Sequence, residues 1–229
     1  MSIRESKVPG CWKRARVVPV LKKKSKTAKE NYRPVSILSV GTKILEEIVR
    51  EQLTKHLRKF GIIPQEQHGF QQSRSTSSAA HVAIHDWRMN ISKGKAVSMA
   101  MFDLSSAFDL VDANLLVEKL RIYGAEQATC QWIISYMSGR FQLVQVGEAC
   151  SQERNLLYGV PQGSGLSPLL FICFTADMPE AVSATLVMYA DDTSCYTVGE
   201  TVEESKNKLE IAAQEIIKYM EENYMHLNA

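Results

Sequence analysis

The stretch VMYADDTSCY, Val187 to Tyr196, constrains this chain more than any other. β-Branched, aromatic and other apolar residues flank two adjacent aspartates, Asp191 and Asp192. That pattern predicts two strands joined by a tight turn, with the charges at the tip. Asp tolerates turn geometry, so the pair taken alone is also compatible with an ordinary turn. A third acidic residue, Asp103, closes another apolar run, KAVSMAMFDL (95–104), which reads as a buried strand. If the two strands are sheet neighbours, three carboxylates converge at one edge. Close carboxylates repel unless cations bind. Oxygen-only ligands favour a hard divalent ion such as Mg²⁺. Two such ions, about 3.5–4 Å apart, stabilise the attacking and leaving oxygens of a phosphoryl transfer.

The rest of the chain supplies both strands and helices. ARVVPV (15–20) reads as a strand, and Pro19 assigns it to an edge. Residues 22–31 form a polar basic loop. A long helix starts at Ser39, with Val40, Ile44, Leu45, Ile48, Leu53 and Leu57 as its apolar face, and Gly61 ends it. Further helices are predicted over 76–92, 113–123, 126–138 and 202–224. The last places Leu209, Ala213, Ile216, Ile217 and Met220 on one side. RFQLVQVG (140–147) alternates and should pair with 153–158. GVPQGSGLSPLLF (159–171) is a turn feeding an apolar helix. Met99 and Met101 read as core. Elements mixed in this way indicate an α+β class.

Composition narrows the function classes. The 229 residues are 45% apolar, enough for a sizeable core. The net charge of +2 is uneven: residues 1–33 hold eleven Lys and Arg against two Glu, so this segment is +9 and the remainder −7. Such asymmetry fits either a polyanion-facing edge or a solvated basic tail. Five scattered cysteines without zinc-ligand spacing point to reduced thiols and an intracellular setting, nuclear or cytoplasmic. The longest apolar stretch, LLFICF (169–174), is far short of the ~20 residues of a membrane span, so no membrane partner is expected. No histidine forms a metal motif: His81 and His85 lack the intervening Glu of HExxH.

YADD between apolar β residues resembles the catalytic hairpin of reverse transcriptases. Other blocks match in order. WKRARVVPVLKKKSK…NYRPVSILSVGTKILEEIV and QEQHGFQQSRSTSSA resemble the fingers blocks of non-LTR (LINE-type) retrotransposon enzymes. MFDLSSAFDLVD resembles the strand bearing the first metal aspartate. GVPQGSGLSPLLF resembles the block under template and incoming nucleotide. LEIAAQEIIKYMEENYMHLN resembles the helix after the hairpin.

The resemblance implies a right-hand polymerase fold with fingers and palm, an antiparallel palm sheet packed on helices, and the thumb absent. It divides the chain into fingers (1–95), a palm strand with the first aspartate (96–112), a fingers/palm connection (113–158) and the palm with the catalytic hairpin (159–229). It implies RNA-directed DNA polymerase activity, with dNTPs added to a DNA primer on an RNA (or DNA) template. Asp103, Asp191 and Asp192 would be the catalytic carboxylates. With the Leu104 carbonyl they would hold two Mg²⁺ ions, for which Mn²⁺ is a substitute. Phe108 would be a steric gate against the ribose 2′-hydroxyl. Lys22 and Arg33 would grip the triphosphate, with Lys23 and Lys24 as alternatives to Lys22. Gln162 and Gly163 would contact the paired nucleotide. Tyr189 would support the primer end, and Arg74 would touch template phosphate.

Departures are also visible. Gln71 stands where the family usually has Arg, Ser73 where it has Gly, and Ala113 where it has His. The sequence ends at MHLNA, where the family continues into a Lys-bearing segment and a thumb. A truncated, catalytically silent fragment that retains nucleic-acid binding is therefore the competing expectation.

Overall fold

The computed structural model describes residues 2–22, 25–28, 31–104 and 106–228. Two compact units are present. One is Met1–Phe60 with Phe108–Leu170, and the other is Gly61–Ala107 with Phe171–Ala229.

In the first unit, strands β1 (Arg14–Leu21) and β2 (Tyr32–Ile37) form an antiparallel hairpin, in register from Arg16↔Ile37 to Leu21↔Tyr32. Strand β2 was not evident from the sequence, because Pro34 and its polar neighbours mask a strand whose residues are mostly exposed. Strand β1 is not an edge strand as Pro19 suggested. Its first half, Arg14 to Val17, pairs in parallel with β4 (Arg140–Val146). Pro19 lies beyond the last β4 partner, where no ladder hydrogen bond is lost on that side. β4 also pairs antiparallel with β5 (Ala149–Cys150) and β6 (Arg154–Leu156).

Helix α1 (Val40–Lys59) is capped by Ser39, whose Oγ accepts from Thr42 N. Its inward stripe is Thr42, Glu46, Val49, Leu53 and Leu57. The predicted apolar face is therefore rotated: Val40 and Ile44 are 74% and 60% exposed. The buried polar residues decide this, because each finds a partner inside. Glu46 accepts from Tyr136 Oη (2.7 Å) and from Gly165 N (3.1 Å). Helices α3 (Ala113–Ile122) and α4 (Gln127–Met137) complete the unit, and Asp112 caps α3. Leu57, Leu116, Leu120 and Ile133 are wholly buried.

The second unit is a three-stranded antiparallel sheet, ordered β3–β8–β7, with β3 Ala96–Phe102, β7 Thr185–Tyr189 and β8 Asp192–Gly199. Its helices are α2 (Thr76–Ser92), α6 (Met178–Ala181) and α7 (Val202–Glu222). α5 (Ser167–Phe174) spans the chain's passage from one unit to the other. Strand alternation gives the sheet two faces. Val97, Val187 and Tyr196 lie on one and pack against Ala79, Ala83 and Trp87 of α2. Ser98 and Thr197 lie on the other, where both bond to Ser205 of α7. On α7 the buried side is Ser205, Ala212, Ile216, Tyr219 and Met220, and Ile217 is exposed rather than buried. Among the described residues, no helix is long and apolar enough to cross a membrane.

Candidate active site

Strands β7 and β8 meet in the turn that carries the paired aspartates. Tyr189↔Asp192 is the last pair, so Ala190 and Asp191 form a two-residue loop. Ala190 has a φ of 57°, a left-handed conformation uncommon outside glycine. Asp191 is half-buried in the turn, and Asp192 is the exposed first residue of β8.

The sheet register brings Asp103 to this hairpin. Phe102, the last residue of β3, pairs with Thr193. Asp103 follows Phe102 as Asp192 precedes Thr193, so the two carboxylates end neighbouring strands. Alternation puts both on the α2 face, together with Met101 and Tyr189. α2 covers only the far end of that face. Met101 stands 76% exposed and Met99 38%, so neither is the core residue expected from the sequence. Asp103 and Asp192 thus flank an open platform.

The donor set of this edge, carboxylate and carbonyl oxygens, suits a hard divalent ion. Among the described residues, however, no three acidic, His or Cys side chains close into a set that could hold a metal. One oxygen of Asp103 is already engaged: Asn228 Nδ2 donates to Oδ2 (2.9 Å), and Asn228 N donates to the Asp103 carbonyl (2.8 Å). Leu104 is buried and forms an isolated antiparallel bridge with Leu227. The C-terminal MHLN segment therefore lies along the residues that follow β3. Arg74, also in this unit, directs Nη1 to the backbone carbonyls of Gln65 and Gln67.

The first unit holds the other predicted residues. Lys22 and Arg33 are exposed on the β1–β2 hairpin. Val20 pairs with Arg33, and Lys22 lies two residues beyond Val20, so both cations fall on the same hairpin face. Lys23 and Lys24 lie outside the described residues. Phe108 sits half-buried in a 3₁₀ turn, Ala107–Asp109, and its carbonyl accepts from Val160 N (2.8 Å). Gln162 Nε2 lies 2.9 Å from both carboxylate oxygens of Asp109. Burial raises the Asp109 pKa, and the Gln162 amide opposes the rise. Gly163 has a φ of 109°, and a Cβ there would lie 2.7 Å from the Ser36 carbonyl oxygen. A side chain is excluded at that position.

Three residues near these groups were not singled out from the sequence: Asn228, Asp109 and Gln67, whose side chain bonds to Ala190. Each acts through a partner more than fifty residues away; all three lie in quoted blocks, QEQHGF, MFDLSSAFDLVD and MHLN, but nothing local marked them there. Two histidines are structural. His68 is buried with Nδ1 2.8 Å from Ser78 Oγ, and His56 Nε2 lies 2.8 Å from the Tyr123 carbonyl. Burial pushes the Cys173 thiol up to about 12 and the Cys195 thiol up to about 11, so neither is a nucleophile at neutral pH.

Residues 21–229 match the family described as reverse transcriptase (RNA-dependent DNA polymerase). The chain belongs to the reverse transcriptase family. It is 31% identical over 199 residues to the probable RNA-directed DNA polymerase from transposon BS of Drosophila melanogaster, covering 80% of this chain and 21% of that protein. It is 28% identical over 205 residues to the RNA-directed DNA polymerase from mobile element jockey of the same fly, covering 85% of this chain and 22% of that protein. This reverse transcriptase chain therefore spans about a fifth of the length of those relatives. Proteins of the type-1 retrotransposable elements R1 and R2 also match, and together these relatives mark a non-LTR reverse transcriptase domain. Among solved structures, apo telomerase from Candida tropicalis, truncated from its C-terminal domain, superposes with a TM-score of 0.70. That match is 15% identical and covers 96% of this chain and 49% of the other. The likeness shows the fold, an α+β fingers-and-palm polymerase architecture. Reverse transcriptases as a family generally use divalent metals.

Proposed function

We propose that this chain is the RNA-directed DNA polymerase domain of a non-LTR retroelement, extending a primer 3′-hydroxyl with dNTPs on an RNA or DNA template. One observation carries the reading: in a chain of this family, Phe102 pairs with Thr193, so Asp103 and Asp192, the next residue on each strand, end neighbouring strands at an uncovered sheet face. Asp103, Asp191, Asp192 and the Leu104 carbonyl supply the oxygen donors, which would have to draw closer together than in this structure to hold two Mg²⁺ ions, or Mn²⁺ in their place. When bound, these lower the pKa of the primer hydroxyl and neutralise the departing pyrophosphate.

The remaining roles belong to the chain's own side chains. Asp103 and Asp192 offer carboxylate oxygens on the open face, donors that suit a hard cation. Tyr189 shares that face and supports the primer terminus with its ring. Arg33 contacts phosphate bidentately, and Lys22 supplies a point charge beside it on one hairpin face. Phe108 excludes a 2′-hydroxyl by overlap. Gln162, held by Asp109, reads the nascent pair, and Gly163 lets backbone approach it. Arg74 has Nη1 committed to carbonyls, and its other nitrogens serve template phosphate. Buried free thiols suit a nuclear or cytoplasmic location.

A nucleic-acid-binding fragment without catalysis is the second reading, and the Asn228 contact on Asp103 favours it. Primer extension on an RNA template with Mg²⁺ separates the two, with template affinity measured on the same samples. The expected result is extension by the wild type and none by Asp191→Asn at equal affinity. Binding without extension by the wild type would select the silent fragment instead.

A further inference from the structure

We infer that Gln67 is the positioning residue of the aspartate turn: its side-chain amide clamps Ala190 in the left-handed conformation and so sets where Asp191 and Asp192 stand. This rests on the reading of those aspartates as working carboxylates. Gln67 is only 1% exposed, and both ends of its amide bond to Ala190 of the turn. Oε1 accepts from Ala190 N (3.0 Å) and from Gly69 N (2.7 Å), and Nε2 donates to the Ala190 carbonyl (3.3 Å). One side chain thus satisfies both the N–H and the C=O of a buried turn residue that strand pairing cannot reach.

The clamp is itself anchored. Gln67 forms a parallel bridge with Met188; His68 N donates to the Met188 carbonyl (2.7 Å), and Met188 N donates to the Glu66 carbonyl (2.8 Å). Residues 66–68 therefore extend the three-stranded sheet at the β7 edge. The Arg74 guanidinium donates to the Gln65 and Gln67 carbonyls, and His68 bonds to Ser78 in the first turn of α2. Gly69 is required for the fit, since a Cβ there would lie 2.2 Å from Ala190 N. A methionine would fill the space of Gln67 equally well. What glutamine adds is hydrogen bonding to a backbone that alanine adopts only at a cost.

The left-handed penalty sets the scale of the effect. Releasing Ala190 should depopulate the working turn roughly 5–30-fold. The test uses Gln67→Met, read first by amide hydrogen exchange in the chain without metal or nucleic acid. Exchange at Ala190 should speed up by that factor, with the centres of β3 and β8 unchanged. In primer extension kcat should fall by the same factor while KM for dNTP stays put. Adding Ala190→Gly, which adopts the turn without a clamp, should recover part of kcat. If Gln67→Met does not fold, Gln67→Glu carries the test: it keeps the acceptor, loses the donor to the Ala190 carbonyl, and should show an intermediate loss. Unchanged Ala190 exchange overturns the inference, and so does full activity of Gln67→Met beside a dead Asp191→Asn. An active Asp191→Asn overturns the polymerase reading instead, whatever the exchange data show.

Discussion

Glu46→Leu should destabilise the first unit by about 2–4 kcal/mol. The Glu46 carboxylate is 1% exposed and accepts from Tyr136 Oη and Gly165 N. Arg140 is equally buried; its guanidinium lies 5.0 Å from the Tyr136 ring, and Nη1 donates to the Tyr136 carbonyl. Among the described residues, its Nε and Nη2 have no hydrogen-bond partner. Burial lowers the Arg140 pKa, and its neighbours Tyr136 and Glu46 oppose that; burial and Glu46 together raise the Tyr136 pKa. Removing Glu46 leaves a buried cation without its counter-charge, which costs about 3–5 kcal/mol in comparable pairs. The two lost hydrogen bonds fall within that figure and are not added. The apolar atoms that leucine adds beyond the already buried Glu46 methylenes return roughly 1 kcal/mol. At roughly 2–4 °C per kcal/mol for a chain of this size, the melting shift is about 4–16 °C. Two units need not unfold together, so the assay is urea unfolding followed by hydrogen exchange resolved along the chain. Protection should fall in α1, α4 and the 161–167 loop and hold in β3, β7 and β8. Replacing the set together, Glu46→Leu, Tyr136→Phe and Arg140→Leu, should recover most of the loss. A first unit within about 0.5 kcal/mol of wild type for Glu46→Leu alone would refute the reasoning, because surface substitutions do no more.

Other outcomes follow from single residues. Burial, with Arg74 adding to it, lowers the His68 pKa, so the unfolded chain takes up that proton first as pH falls. Stability should be fully present above pH ~6.5 and decline below it, and His68→Asn should flatten thermal unfolding between pH 8 and 5.5. Gly163→Ala forces a Cβ against Ser36 at a φ that non-glycine residues rarely adopt, and should cost about 1–3 kcal/mol in urea unfolding. Phe108→Val should raise ribonucleotide incorporation in single-nucleotide extension, and unchanged discrimination would remove the gate role.

What the sequence disclosed followed local chemistry. Helix α2 matched its predicted bounds because Ser75 and Ser78 build a capping box and Gly94 follows its end. The hairpin and the strand ending before Asp103 were legible from alternation. The inward face of α1 was not, because a periodicity rule turns Thr42 and Glu46 outward and cannot know that Tyr136 and Gly165 await them. Strand β2 was hidden by Pro34. The parallel pairing of β1 with β4 and the bracing of Ala190 by Gln67 join residues more than a hundred positions apart. Met101 reads as apolar and therefore buried, yet it lies exposed on the face that α2 leaves uncovered.

Equilibrium binding of Mn²⁺ in the presence of a dNTP, followed by electron paramagnetic resonance, tests most directly whether Asp103 and the hairpin aspartates form one metal-holding set. Asp103→Asn and Asp191→Asn should each weaken binding at least about tenfold. Asp177→Asn, whose carboxylate instead accepts from Tyr219 Oη, should not. Wild-type affinity in Asp103→Asn would contradict the assignment.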